Sequence, residues 1–208
     1  MRFGIHLIIG LIIACGVWES TNAQDNVLTE QYKKAGWEML FDGKTLLGWT
    51  HRGGNATWAV ENGMLTGTVT GRGPGYIGTY NKFKDFELHV EFKQDEGHNS
   101  GVFIRGPRDD DARVNQYSFY EINIADTHSS GYTTGSIVGL AKYDTVPQTE
   151  GQWNHLHITA KGRDITVMLN GKSAAKIQDS AHYSGVVVLQ AFGKGTIRFK
   201  NLRILELE

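Results

Sequence analysis

From Asp85 onward, apolar residues recur at every second position. Phe86, Leu88, Val90 and Phe92 fall on one side of an extended segment, and Glu87, His89, Glu91 and Lys93 on the other. A period of two is the signature of a strand with one buried face, and a helix cannot present it. The pattern returns in Gly101–Arg105, with Val102 and Ile104 set against Phe103 and Arg105. In Ser118–Asp126, Tyr120, Ile122 and Ile124 oppose Glu121 and Asn123. Ile165, Val167 and Leu169 form another stripe. In Val186–Gln190 both phases are largely apolar, which predicts a strand buried on both faces.

Turn chemistry separates these runs. Asn170-Gly171 is a strong hairpin signal, because a two-residue turn of that type needs positive φ at both positions. Asn62-Gly63 and Lys161-Gly162 predict two more reversals. Near the C-terminus the apolar phase slips between Ile197/Phe199 and Leu202/Ile204, which predicts a bulge near Asn201. Gly is 26 of 208 residues and Pro only 3, in keeping with many tight turns between short strands. One helix stands out, Leu28–Ala35, with Thr29 as its cap and Gly36 as its stop. The expected fold is all-β, an antiparallel β-sandwich or jelly roll with a short N-terminal helix.

The first 23 residues read differently. Arg2 is followed by a nearly continuous apolar run, Ile5–Val17, and then by a short polar stretch ending in Ala23. This predicts a secretory signal peptide cut before Gln24, leaving one domain over 24–208. Ile12-Ile13-Ala14-Cys15 is a rival signal, a lipobox that would tether the protein to a membrane through Cys15. Either reading predicts an exported, periplasmic or extracellular protein. Cys15 is the lone cysteine, so a disulfide framework or thiolate site is excluded after cleavage. A formal net charge of −1 argues against nucleic acid as a partner. No phosphate loop or dinucleotide fingerprint is present, so no nucleotide cofactor is expected.

Candidate chemistry lies on the polar faces of the strands. Arg105, Glu121 and Asn123 would share a sheet face that suits sugar hydroxyls, or would pair across strands as a solvated salt bridge. Asp126 and His128 follow that strand, and a carboxylate beside an imidazole serves as a general base or leaves room for a divalent metal. His155 and His157 would line a groove or face solvent, while His89, among Glu87, Glu91 and Lys93, reads as solvated. Asp109-Asp110-Asp111 lacks calcium-loop spacing and reads as a solvated loop. Trp49, Trp58 and Trp153 read as core residues or stacking platforms.

Several ordered blocks carry a resemblance: GWEMLFDGKTLLGW from Gly36, WAVENGML from Trp58, FKDFELHVEF from Phe83, HNSGVFIR from His98, YEINIAD from Tyr120, GQWN from Gly151, LNG from Leu169 and GTIRFKNLRILEL from Gly195. Together they resemble the 3-keto-disaccharide hydrolase domain family, which is similar in fold to concanavalin A-like lectins and glucanases. The resemblance implies cleavage of glycosides bearing a ketone at C3, by hydrolysis or by proton abstraction at C2 and elimination at C1. It implies an oligosaccharide or glycoside as the partner. Asn99, Arg105, Glu121 and Asp126 match the family's motifs; taken with the strand pattern, this makes Glu121 or His128 the candidate base, Arg105 the candidate oxyanion stabiliser, and Asn99, Asn123, Asp126 and His157 the candidate substrate contacts. Asn123 stands where the family usually has Gln, and Ala125 where a larger apolar residue is common. A non-catalytic carbohydrate-binding module on the same fold is the alternative. An ordinary retaining glucanase would need Glu121 and Asp126 as a close carboxylate pair.

Overall fold

The computed structural model describes residues 24–108, 113–145 and 147–208. The expected signal peptide or lipobox and the Asp109–Asp111 run lie outside the described residues. The helix α1 (Glu30–Lys34) forms where expected: the Thr29 hydroxyl accepts from the Tyr32 N–H, and Gly36 leaves the helix at φ +87°.

Among the described residues thirteen strands follow: β1 (Glu38–Met39), β2 (Trp49–Gly54), β3 (Ala56–Glu61), β4 (Met64–Val69), β5 (Gly75–Thr79), β6 (Phe86–Gln94) and β7 (Asn99–Gly106). Then come β8 (Tyr120–Ile124), β9 (Asn154–Lys161), β10 (Asp164–Leu169), β11 (Lys172–Gln178), β12 (Val186–Phe192) and β13 (Thr196–Glu206). They make two antiparallel sheets. The large one runs β11-β10-β9-β6-β13-β4-β3, with β1 also on β13. The small one runs β2-β5-β12-β7-β8.

One core lies between the sheets. The large sheet supplies Leu88, Val90, Leu156, Ile158 and Phe199, and the small sheet supplies Val102, Ile122, Val187 and Leu189, all in one buried cluster. Each such side chain stabilises the fold by roughly 1.5–3 kcal/mol on burial. Val186 and Val188 face the other way and pack with Phe103, Val114 and Phe119 in a second, smaller cluster. β12 is therefore buried on both sides, as its two apolar phases predict.

The hairpin signals are met with one shift. Asn62-Gly63 and Asn170-Gly171 both take positive φ. The third turn uses Gly162-Arg163 at its centre rather than Lys161-Gly162, because Lys161 still pairs with Asp164. The bulge on β13 sits where expected: Asn201 has φ +51° and the register against β6 shifts between Lys200 and Arg203. Asn26 and Asn201 pin it reciprocally. The Asn26 N–H donates to Asn201 Oδ1 at 2.6 Å, and the Asn201 N–H donates to Asn26 Oδ1 at 2.8 Å.

A second bulge leaves no mark in the sequence alternation of β7. Val186 pairs with Gly106 and Val188 with Phe103, so β7 carries one residue more than β12. Within it Arg105 takes φ +57°. The alternation stops there, and the Arg105 side chain is buried instead of lying on the polar face with Glu121.

Candidate active site

Side chains on the small sheet's face away from the core build a cleft of about 420 Å³, within the ~300–1,000 Å³ range of small-molecule sites. Strand register sets its floor. One row across the sheet is Tyr76, Gln190, Gly101 and Asn123, and the next is Gly78, Val188, Phe103 and Glu121. Asn99 and Phe192 pair at one end. The second apolar cluster backs this floor, and Phe103 meets Tyr76 and Phe119 edge-on. The wall comes from the chain after β8. Segment 134–138 hydrogen-bonds back along β8, with the Val138 N–H donating to the Glu121 carbonyl and the Gly135 N–H to the Asn123 carbonyl. That docking brings Tyr132, Val138 and Gly139 to the cleft.

Glu121 is the one carboxylate among the described lining residues. Burial pushes its pKa up to about 7, because an apolar floor solvates the anion poorly. A Cβ on Gly101 would lie 3.4 Å from Glu121 Oε1, so the glycine leaves the carboxyl room. Burial also raises the Tyr76 hydroxyl above its ordinary value; the Gln190 hydrogen bond opposes that, and the Glu121 charge adds to it. Gln190 Nε2 donates to the Tyr76 hydroxyl at 3.3 Å, while Gln190 Oε1 is buried without a hydrogen-bond partner. A buried acceptor in that state costs stability until a ligand donor reaches it. His128 is exposed at the rim, its Nδ1 2.6 Å from Ser130 Oγ. Asn123 is buried and donates through Nδ2 to the Tyr132 carbonyl, which ties the wall to the floor.

Of the residues singled out in the sequence, Asn99, Glu121, Asn123 and His128 come together in this cleft. Arg105, Asp126 and His157 do not. The Arg105 guanidinium donates to the Lys84 and Gly162 carbonyls and to Asp85 Oδ1, each at 2.8 Å. It joins the small sheet to the β9–β10 turn of the large one. Its pKa is lowered by burial and supported by Asp85. Asp126 accepts from the Thr149 backbone and hydroxyl, from the Thr134 hydroxyl and from the Glu150 N–H. A carboxylate with four donors from one loop is a loop anchor. His157 lies on the outer face of the large sheet, where its Nε2 is 3.0 Å from Glu87 Oε2. His89 is there too and is half-buried rather than solvated, for Trp37 packs edge-on against it with centroids 4.7 Å apart.

Tyr76, Phe103 and Gln190 escaped the sequence reading. Gln190 had a signal, as a polar residue inside an otherwise apolar strand. Phe103 had one as well, since alternation sets it opposite Val102 and Ile104 on the face away from the core, whereas Tyr76 had none, because an aromatic on a strand reads as core. Trp49 and Trp58 are buried, and Lys200 Nζ lies 4.6 Å over the Trp153 ring. None of the three lines the cleft. Glu121 and His128 give a cation two donors there, and among the described residues no third His, Cys, Asp or Glu joins them. A protein-held cation ordinarily takes three or more.

The profile of the 3-keto-alpha-glucoside-1,2-lyase-like domain matches residues 36–205. The chain belongs to that family. A 3-keto-disaccharide hydrolase of Bacteroides thetaiotaomicron is 36% identical over 77 residues, covering 33% of this chain and 27% of that protein. The chain thus matches about a quarter of that relative's length. A crystal structure of a glycosyl hydrolase candidate from Parabacteroides distasonis superposes with a TM-score of 0.77 at 22% identity, covering 89% of this chain and all of that one. Another from the same organism gives 0.65 at 28% identity, covering 82% and 99%. The carbohydrate-binding module CBM66 of Bacillus subtilis gives 0.58 at 20% identity, covering 75% and 94%. These likenesses support the all-β sandwich, and the family places the chain among glycosyl hydrolase-like domains.

Proposed function

We propose that the cleft cleaves glycosides whose C3 hydroxyl has been oxidised to a ketone. The observation that carries this reading is Glu121, a cleft carboxyl whose pKa is pushed up to about 7 by burial. Such a group is ionised enough near neutrality to take a proton and basic enough to hold it. A C3 ketone acidifies the C2 proton. Glu121 removes it, and the electron pair moves onto the C3 oxygen as an enolate. Tyr76 and the amides of Gln190 and Asn99 line the same floor and offer the donors an enolate oxygen needs. The enolate then reforms the carbonyl, C1=C2 forms and the C1–O bond breaks. His128 at the rim supplies the proton taken up by the departing oxygen. Water added across C1=C2 turns elimination into net hydrolysis.

An ordinary glycosidase is disfavoured. It needs two carboxyl groups flanking one bond, and Asp126, the second carboxylate of that strand's sequence, is consumed by the 134–150 loop. The likeness in fold to the carbohydrate-binding module CBM66 supports a second reading, a sugar-binding module that does not turn substrate over.

The test uses purified protein with 3-keto-glycosides and their unoxidised parents, following aglycone release and C2 proton exchange in D2O. The expected result is release and exchange with keto substrates alone. Glycan binding with neither would replace the enzyme reading with the module. Export belongs to this proposal too, with cleavage before Gln24. N-terminal analysis of the protein from its native host checks both: a lipidated Cys15 would move the cut but keep export, and an intact N-terminal segment would overturn export.

A further inference from the structure

The outer face of the large sheet carries an imidazole array that the cleft does not use. β6 and β9 are antiparallel neighbours, and His89 pairs directly with His157 while Glu91 pairs with His155. The His89 and His157 rings stack with centroids 4.2 Å apart, and those of His89 and His155 lie 4.7 Å apart. Glu87, two residues before His89 on the same face of β6, reaches His157 Nε2 at 3.0 Å. One ligand atom from each of Glu87, His89 and His157 falls within 4.8 Å of the others, and all three residues are half-buried. We propose that Glu87, His89 and His157 bind a divalent transition-metal ion of the zinc class.

The geometry is close to what such an ion needs. Ligands at 2.0–2.1 Å from a tetrahedral zinc stand about 3.3 Å apart, against the 4.8 Å within which these atoms lie, and the stacked His89 and His157 rings, 23° apart in plane, must turn for both lone pairs to meet one ion. The ligand set also selects the ion. Two imidazoles and one carboxylate suit zinc, copper or nickel, whereas calcium and magnesium take oxygen ligands. His155 supplies the support that metal-bound histidines have, a partner for the other ring nitrogen. His89 Nδ1 is 2.7 Å from His155 Nε2, which leaves Nε2 of His89 for the ion. Arg203 brings a positive charge beside the array. Its Nη2 stands 3.4 Å from His89 Nδ1, and its guanidinium lies over Tyr32 and Trp37. The cation therefore sits on the Nδ1 side, held by two rings, and the Nε2 side is left to the ligand cluster. The array does not depend on what the cleft does.

Zinc titration of the purified chain by calorimetry tests the proposal. The expected result is one equivalent bound with micromolar or tighter affinity, weakened at least tenfold in both His157→Gln and Glu87→Gln. Both residues are part-exposed, so both variants should fold. Binding should be unchanged in Glu121→Gln and unaffected by millimolar calcium or magnesium. Copper should quench Trp37 fluorescence in the parent and not in His157→Gln, because Trp37 packs on His89. No saturable zinc binding, binding that survives His157→Gln, or binding lost in Glu121→Gln would each overturn it.

Discussion

At the scale of single residues, Glu121 carries the strongest expectation. Its folded pKa of about 7 lies above the ordinary 4.5. If it is the base, the rate should rise with pH through about 7. Glu121→Gln should lower turnover at least ~100-fold, the range of a lost general base. Stability moves in the opposite sense. The folded state favours the protonated acid, so this group's contribution is complete below pH 4.5 and is lost as pH rises through 7. Denaturant midpoints for the parent should fall across that window, and Glu121→Gln should flatten the fall. Tyr76 gives a separate test. Tyr76→Phe keeps the ring that packs on Phe103 and removes one donor. Turnover should drop about 10–100-fold with little change in stability, less than the loss of a full oxyanion donor because Gln190 and Asn99 remain.

At the scale of elements, the bulge in β7 decides what Arg105 does. Its guanidinium ties Lys84, Asp85 and Gly162 together, and Asp85 also accepts from the Gly162 N–H. Arg105→Ala leaves those acceptors facing one another without their shared donor. Urea unfolding should show a loss of about 3 kcal/mol or more, the magnitude seen when one member of a buried pair is removed. Any loss of activity should then track the loss of folded protein, with KM unchanged in what remains. A KM that rises while stability holds would return Arg105 to the substrate. The strand itself was legible from alternation. The bulge was not, because Arg105 looks like one more polar residue in phase. Only the pairing with β12, which skips Arg105, turns the side chain inward.

At the scale of the molecule, the two sheets share one core, and Leu189 stands in it from the centre of the small sheet. It is fully buried. Leu189→Ala should destabilise by about 2–5 kcal/mol. The same strand carries Val188 and Gln190 on its other face, so that variant should also loosen the cleft floor. A rise in KM at temperatures well below Tm, read alongside the melting curve, checks this coupling.

Period-two alternation, Asn-Gly turns and the slipped phase near Asn201 were enough to specify an all-β chain, because each depends on neighbours within one strand or hairpin. Thr29 and Gly36 bounded the helix for the same reason. The sequence also put Glu121 and Asn123 on one face of one strand, and Asn99 at the head of another. Register is different. Tyr76 and Gln190 reach Glu121 only because β5, β12, β7 and β8, far apart in the chain, line up in one sheet. His157 and Glu121 alternate in the same way along their strands, yet they lie in different sheets, on faces turned away from the shared core. Local pattern states which face of a strand is polar. The pairing of distant strands, driven by burial of the common core, decides which polar faces meet.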